Sequence, residues 1–194
     1  MKVETIRAFI AIKIPDEIKS KFGEVQRKLR VPGADVRWVK PGNAHMTLQF
    51  LGDTPVERIG EIQSALSRVA ASHRAFDISV EGLGVFPSLR RPRVIWIGIV
   101  EGANPLISLQ ASVVEEMTNL GYESEKRAYS PHITLGRIKS SKNLDRLRTI
   151  LEAESSFRAG DFHATEIHLI RSILSSEGPS YSTIFSAPLL APPG

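Results

Sequence analysis

The chain carries the stretch HMTL at residues 45–48 and the stretch HITL at residues 132–135, 87 positions further on. Other landmarks recur at nearly the same interval, since strand-length apolar runs begin at Ile6 and at Val94, 88 positions apart. A near-constant offset over this length indicates an internal repeat. No low-complexity linker separates the halves, so the pattern favours two packed lobes with a shared crevice over two independent domains.

Hydrophobic periodicity predicts the order strand, helix, strand, helix, strand in each half. The predicted strands cover residues 6–12, 36–39, 45–51, 76–80, 94–100, 129–138 and 162–174, and a last strand covers residues 181–185. The predicted helices begin at Asp16, Thr54, Pro105 and Leu144, and Thr54 with Glu57 matches a capping box. We therefore predict one bilobal domain over residues 1–194, built from repeat units of about 1–88 and 89–174 and followed by a C-terminal strand.

Each copy of the motif predicts a strand with one polar face. Because side chains alternate along a strand, His45 and Thr47 share one face while Met46, Leu48 and Phe50 point into a core. The second copy divides its polar and apolar residues in the same way. Each lobe therefore presents an imidazole beside a hydroxyl, and an approximate twofold relation would make the two pairs face each other across the crevice.

Two opposed imidazoles suit general acid–base catalysis of phosphoryl transfer. A neutral ring accepts a proton from water while the other ring, protonated, donates one to a leaving oxygen, and neither step needs a metal. The hydroxyls of Thr47 and Thr134 would donate hydrogen bonds to phosphoryl oxygens. A zinc site of His45, His132 and a third histidine stays open as an alternative, although no HxxxH spacing supports it. A structural or surface role is predicted for the other histidines, His73, His163 and His168.

The composition excludes several kinds of site and favours one class of partner. The chain contains no cysteine, which excludes disulfides, thiolate nucleophiles and cysteine metal sites. A formal charge of +4 and a sequence pI near 9.5 favour anionic partners such as nucleic acid. Neither a P-loop nor a complete dinucleotide-binding glycine motif occurs, which argues against nucleoside triphosphate substrates. Without an apolar run of membrane-spanning length or a secretory signal, we expect a soluble cytoplasmic protein.

These features together resemble the 2H phosphoesterase superfamily. The resemblance rests on the paired HxTx motifs, on RWVKP at residues 37–41, on QFLG at residues 49–52 and on SPHITLGR at residues 130–137. Within the superfamily, the chain is most similar to the RNA 2′,3′-cyclic phosphodiesterases of bacteria and archaea, also called 2′-5′ RNA ligases. The resemblance implies an α+β fold with two pseudo-symmetric lobes, each an antiparallel sheet with helices packed on its outer face, around a central cleft.

The resemblance also implies an activity and its residues. The activity is metal-independent opening of an RNA 2′,3′-cyclic phosphate to a 2′-phosphomonoester, without a cofactor, and in some members the reverse 2′-5′ ligation. His45 and His132 would be the acid–base pair, and Thr47 and Thr134 would bind phosphoryl oxygens. We favour His132 as the base and His45 as the acid, although the near-symmetric motifs leave this assignment open. The expected partners are RNA ends or nucleotides with a 2′,3′-cyclic phosphate, bound by a monomer without membrane contact.

Further residues are expected to contact the nucleotide. Family members often bind phosphate with the arginine three residues after the second threonine, which is Arg137 here. Strict alternation places Arg137 on the core side, so it reaches the cleft only if the strand bulges at Gly136. Tyr129 is a candidate for base stacking, whereas Trp38 is expected in the core. A candidate basic track for the RNA backbone consists of Arg90, Arg91, Arg93, Lys126 and Arg127.

Two other functions stay open at this level. The chain could be an RNA-end-binding module without turnover, or a phosphodiesterase that acts on 2′-5′ linkages or other cyclic phosphate esters. Loss of turnover after substitution of His45 or His132 separates an enzyme from a binding module.

Overall fold

The computed structural model describes residues 3–125, 127–176 and 178–191. The helices and strands are, in chain order, β1 (Thr5–Lys13), α1 (Asp16–Leu29), β2 (Val36–Trp38), β3 (His45–Pro55), α2 (Ile59–Ala70), β4 (Phe76–Phe86), β5 (Val94–Ile99), α3 (Ala103–Asn119), β6 (His132–Ile138), α4 (Leu144–Ala153), β7 (Arg158–Ala164), β8 (Glu166–Ser175) and β9 (Gly178–Pro188). Short 3₁₀ turns, Pro41–Asn43 and Val56–Arg58, precede β3 and α2.

The strands form two antiparallel sheets. The first, which we call sheet A, has the order β3-β1-β8-β9, and the second, sheet B, has the order β2-β6-β5-β4-β7. Helices α2 and α3 pack against each other and against sheet A, while α1 packs against α4 and β7. Two antiparallel sheets with helices on their outer faces confirm the predicted α+β fold class.

One large apolar cluster fills the space between the helices and the sheets. Ala8, Ile10 and Ile12 of β1 point into this main core, because alternate residues of a strand share a face. The helices bury residues at spacings of three and four, as a helix with one apolar stripe does. For α1 these residues are Ile18, Phe22, Val25 and Leu29, and for α3 they are Leu106, Leu109, Val113 and Met117.

The opposite face of sheet A carries a second, smaller apolar cluster. Phe9 and Ala11 of β1 point to this side and pack with Ile170 of β8 and with Tyr181 of β9. Since His45 and Thr47 of β3 lie opposite Lys13 and Ala11 of β1, the motif residues share this face. We call it the cleft face of sheet A.

The two repeat units exchange strands. Strand β4 comes from the first unit but pairs with β5 in sheet B, and β8 comes from the second unit but pairs with β1 in sheet A. The helices cross over as well, since Gln26 of α1 donates a hydrogen bond to Leu135 O in sheet B and Gln110 of α3 donates one to Leu48 O in sheet A. The repeat boundary near residue 88 is therefore not a boundary between the sheets.

Two local predictions differ from the structure. The predicted capping box is wrong, because Thr54 is buried at the end of β3, opposite Ile6 of β1, and α2 begins only at Ile59. Pairing with β1 along the full length of β3 prevails over the local helix-start pattern. The predicted strand 162–174 divides at Thr165 into β7 of sheet B and β8 of sheet A, so the chain crosses between the sheets there.

Candidate active site

His45 is the first residue of β3 and follows the turn Pro41–Asn43. Its Nδ1 lies 2.8 Å from the backbone carbonyl oxygen of Asn43. Because a carbonyl oxygen only accepts, Nδ1 carries the proton of the neutral ring and Nε2 keeps a free lone pair. The Asn43 side chain donates a hydrogen bond of 2.7 Å to Pro179 O at the start of β9, which fixes the turn that holds the ring.

His132 is the first residue of β6 and is held in the same way. Its Nδ1 lies 2.7 Å from Ser130 O, again the carbonyl two residues earlier in the chain. This bond selects the same tautomer as in the other motif and leaves Nε2 free. The two motif histidines therefore have equivalent backbone supports, although they belong to different sheets.

The two imidazoles lie against different aromatic neighbours. The ring of His45 is 4.5 Å from the ring of Phe9 and 5.2 Å from that of Tyr181. Burial lowers the pKa of His45; the hydrogen bond to Asn43 raises it by a smaller amount, and the charge of Lys19 lowers it. In sheet B, the ring of His132 is 5.0 Å from the ring of Phe86 and 6.4 Å from that of Trp96.

Both motif strands contain a bulge directly after the threonine. In sheet A, Thr47 pairs with Ala11 and Gln49 pairs with Ile10, so Leu48 is an extra residue. In sheet B, Thr134 pairs with Trp96 and Gly136 pairs with Ile95, so Leu135 is the extra residue. A bulge of this kind resets the alternation of side chains along the strand.

The bulges decide where the next side chains point. Phe50 is 54% exposed, so its predicted place in the core is wrong. Arg137 is exposed on the face of Thr134, and the bulge that this position required is present at Leu135 and Gly136. A Cβ added to Gly136 would lie 2.9 Å from the Trp38 ring, so glycine permits the close packing of β2 on the bulged strand.

Two glutamines support the bulges, and neither is among the residues predicted from the sequence. Gln26 of α1 is buried and donates hydrogen bonds to Val39 O at 2.7 Å and to Leu135 O at 2.9 Å. Gln110 of α3 donates a longer one, 3.4 Å, to Leu48 O. The sequence contains one feature that could have identified Gln26. This residue lies next to the apolar stripe of α1, where a buried amide needs a hydrogen-bond partner.

Contacts between the sheets bring the motif strands together. Strands β3 and β6 lie against each other, and the Tyr129 hydroxyl donates a hydrogen bond of 3.0 Å to Thr47 O. Burial raises the pKa of Tyr181, and the charge of Arg137 acts on it in the opposite direction. The Tyr181 ring also contacts His45, so this tyrosine lies beside the first histidine and within the range of the charge of an arginine from the other sheet.

The remaining predicted residues have these positions. Tyr129 is half-buried against the main core, and burial raises its pKa; its stacking role stays a prediction. Trp38 packs against the core, as expected, with Arg30 over its ring. In the candidate basic track, the exposed residues are Arg90, Arg91, Arg93 and Arg127, and Lys126 lies outside the described residues.

The other histidines have partners of their own. His73 lies 2.9 Å from Ser112 Oγ, His163 lies 2.8 Å from Asp77 Oδ1, and His168 lies 2.9 Å from Ser186 Oγ. In the part of the chain that the structure describes, no three histidine or carboxylate side chains gather to hold a metal ion. Within the same ranges, no helix combines the length and apolar character that crossing a bilayer requires.

Comparison with known proteins agrees with this arrangement. The family model LigT like Phosphoesterase matches the chain twice, at residues 12–96 and 97–181. A Methanothermobacter thermautotrophicus protein named RNA 2′,3′-cyclic phosphodiesterase is 33% identical over 177 residues, which are 91% of this chain and 95% of the relative. An Aquifex aeolicus protein of the same name is 35% identical over 188 residues, 94% of this chain and 96% of the relative.

Solved structures are similar over the whole fold. TT0787 of Thermus thermophilus has a TM-score of 0.78 and 26% identity, and the match covers 96% of this chain and 99% of that one. E. coli LigT in complex with 3′-AMP has a TM-score of 0.77 and 25% identity over the same shares of the two chains.

Proposed function

This chain belongs to the LigT-like phosphoesterase family, and we propose that it hydrolyses RNA 2′,3′-cyclic phosphate ends to 2′-phosphomonoesters with His45 and His132 as a general acid–base pair. The proposed substrates are RNA ends or nucleotides that bear the cyclic phosphate, acted on by a monomer in the cytoplasm. Relatives named RNA 2′,3′-cyclic phosphodiesterase support the substrate class.

The observation that carries the proposal is the equivalent support of the two imidazoles. Each Nδ1 donates to a backbone carbonyl at 2.7 or 2.8 Å, so each Nε2 can accept a proton in the neutral form and donate one in the protonated form. Acid–base catalysis of a displacement at phosphorus needs one ring in each form. A pair of this kind supplies both proton transfers from the protein's own side chains.

The proposed reaction is a single displacement at phosphorus. Nε2 of the base takes a proton from water as the water oxygen bonds to phosphorus, and the bond from phosphorus to O3′ breaks. O3′ takes its proton from Nε2 of the acid, which leaves a 2′-phosphomonoester and a free 3′-hydroxyl. Thr47 and Thr134 donate hydrogen bonds to the phosphoryl oxygens, and Arg137 balances their charge. Proton exchange with solvent restores the starting forms of the two rings.

The roles of the two rings are a separate part of the proposal. From the sequence, we favour His132 as the base and His45 as the acid. Burial favours the neutral form of His45 in the free protein, which opposes an acid role, whereas the negative charge of a bound phosphate favours its protonated form. A pH profile of kcat/KM for each single variant assigns the two roles.

The same displacement with another nucleophile gives ligation, which reverses the cleavage of a 2′-5′ linkage. If the 5′-hydroxyl of a second RNA replaces water as the nucleophile, the same proton transfers join the two ends through a 2′-5′ linkage. The threonines and Arg137 would serve the same phosphoryl group in both reactions.

The test uses a 2′,3′-cyclic nucleotide and the purified protein in EDTA. We expect a 2′-phosphomonoester, identified by phosphorus NMR, at a rate that the chelator does not reduce. Failure to form this product would contradict the proposal. A product only from 2′-5′ linkages or from other cyclic esters would assign a different substrate to the site.

Substitution of the histidines separates catalysis from binding. We expect His45→Ala and His132→Ala each to lower kcat by about 10²- to 10⁴-fold, the usual contribution of a general acid or base. The double variant should be little worse than either single variant, because the two rings act as a unit. Thermal unfolding of each variant serves as the control for folding. Variants that change only the affinity for RNA ends, in a protein without turnover, would instead show a binding module.

A further inference from the structure

We propose that Arg37, next to the phosphate-binding Arg137, forms a second anion site, which binds the phosphate on the 5′ side of the terminal nucleotide. This inference rests on the proposed function, because it places the cyclic phosphate between His45 and His132. It predicts that the protein distinguishes substrates by the group attached to O5′ of the nucleotide that bears the cyclic phosphate.

The first observation is the register of β2 on β6. Arg37 lies directly opposite Arg137, and the flanking pairs are Val36 with Ile138 and Trp38 with Gly136. Val36 and Trp38 pack against the main core, so the intervening Arg37 points to the opposite face. Arg137 lies on that same face, which is the face of Thr134, and both guanidinium groups are exposed.

The second observation is the charge of the pair. Like charges directly opposite on neighbouring strands destabilise a sheet, so such a pair is unfavourable without a counterion. No described carboxylate forms an ion pair with either arginine, whereas Arg58 and Arg148 each pair with an acid three residues away. Val94, the other neighbour of Arg137, is apolar. Two adjacent guanidinium groups without an acid suit two phosphate groups of one substrate, since each guanidinium can donate paired hydrogen bonds to a phosphate.

The third observation is the position of the pair relative to the motifs. Arg137 follows Thr134 by three residues, and its charge acts on Tyr181, whose ring contacts His45. Arg37 lies one strand further from the motifs, a step of about 4.8 Å between neighbouring strands. The pair therefore extends outward from the acid–base site along the edge of sheet B that ends in β2.

The chemistry of the substrate identifies the second anion. A nucleotide with a 2′,3′-cyclic phosphate has both ring oxygens in use, so any further phosphate is attached through its O5′. In an RNA end this group is the phosphodiester to the preceding nucleotide, and in a mononucleotide it is a free 5′-phosphate. Both offer the same oxygens to Arg37, and substrates that differ only in this group distinguish them.

The experiment compares three cyclic phosphate substrates: a mononucleotide with a 5′-hydroxyl, the same mononucleotide with a 5′-phosphate, and a dinucleotide. We expect the wild-type protein to prefer the dinucleotide. Arg37→Gln should lower the ratio of kcat/KM for the dinucleotide over the 5′-hydroxyl mononucleotide by about tenfold, the loss of one charge-assisted contact. Arg146→Gln, which removes an exposed arginine of α4, is the matched control and should leave the ratio unchanged.

The results show whether Arg37 binds any phosphate at O5′ or only a phosphodiester, or they contradict the second anion site. An equal loss for the 5′-phosphate mononucleotide and the dinucleotide means that any phosphate at O5′ is bound. A loss for the dinucleotide alone means that the phosphodiester is the ligand. An unchanged ratio, or the same loss with all three substrates, would overturn the second site.

A binding measurement keeps this test separate from the proposed function. The probe is a short single-stranded oligonucleotide that ends in a 2′-phosphate, and its affinity is measured at several salt concentrations. Arg37→Gln should reduce the slope of log K against log salt by about 0.7, the value for one phosphate contact on a single strand. This slope does not depend on turnover. An inactive wild-type protein would contradict the proposed function, whereas an unchanged slope contradicts only the second anion site.

Discussion

The two motif strands are alike up to the bulge and differ beyond it. In both, a histidine donates from Nδ1 to a carbonyl two residues earlier, and a threonine and an extra leucine follow. Three residues after the threonine, β3 exposes the ring of Phe50 and β6 exposes the guanidinium group of Arg137. The shared part therefore contains the residues proposed for the proton transfers, and the part that differs presents an aromatic ring in one strand and a cation in the other.

This difference matches the asymmetry of a nucleotide. Proton transfer in hydrolysis involves two oxygens on opposite sides of one phosphorus, so two equivalent imidazoles suit it. A nucleotide, in contrast, has an anionic end and an aromatic base, which call for different side chains. We therefore expect Arg137 to bind the phosphate and Phe50 to stack on the base, and the following variants test this expectation.

Apart from the loss of either motif histidine, the largest effects on activity should come from the two residues that differ between the strands. Arg137→Gln should lower kcat/KM by about 10- to 100-fold, because it removes charge-assisted hydrogen bonds to phosphate. Phe50→Ala should lower it less, by about fivefold or more, which corresponds to the lower end of the range for base stacking. Competition by inorganic phosphate sharpens the comparison, since Arg137→Gln should weaken this inhibition and Phe50→Ala should not. Equal effects on phosphate inhibition would remove the proposed division between the two strands.

The sequence predicts an exposed Arg137 only if β6 bulges, which it does, and it places Phe50 wrongly in the core. Alternation along a strand places both Phe50 and Arg137 on the core side. The glycine at position 136 indicates a possible bulge in β6, but Gln49 at the matching position of β3 carries no such signal. A bulge depends on the register with the neighbouring strand, so a pattern within one strand does not specify it.

A smaller effect is expected from the glutamines that support the bulges. Gln26→Leu should lower the free energy of unfolding by about 1–3 kcal/mol, since it removes the hydrogen bonds to the half-buried Val39 O and to the buried Leu135 O. Gln110→Leu should cost less, about 0.5 kcal/mol, because its hydrogen bond to Leu48 O is 3.4 Å long. Urea unfolding of both variants measures the difference. A larger loss for Gln110→Leu would show that the bulge in β3 depends more on its glutamine than the bulge in β6 does.

The smallest effect concerns pH and the burial of His45. Its pKa is lowered in the folded protein, so between that value and the unfolded pKa near 6.5 the unfolded chain binds more protons. The free energy of unfolding should not depend on the His45 imidazole above pH 6.5. Below pH 6.5 it should fall as the pH drops, by at most about 1.4 kcal/mol per pH unit.

The control removes His45 from this pH dependence. Burial also lowers the pKa of His73 and of His168, so both contribute in the same direction. His45→Gln should therefore reduce the slope of stability against pH below 6.5 without abolishing it. NMR titration of the His45 ring gives the pKa directly, and a value above 6.5 would contradict the expected effect of burial.

The sequence alone determines the repeat, the two HxTx motifs, the main helices with their buried stripes, and the family resemblance. These features are local or periodic, so one chain contains all the information that they need. The tertiary structure decides that β4 and β8 join the sheet of the other repeat unit, that both motif strands bulge, and that Arg37 lies opposite Arg137. Each of these depends on pairing between strands that are distant along the chain, and hydrophobic periodicity within a segment does not specify its partner.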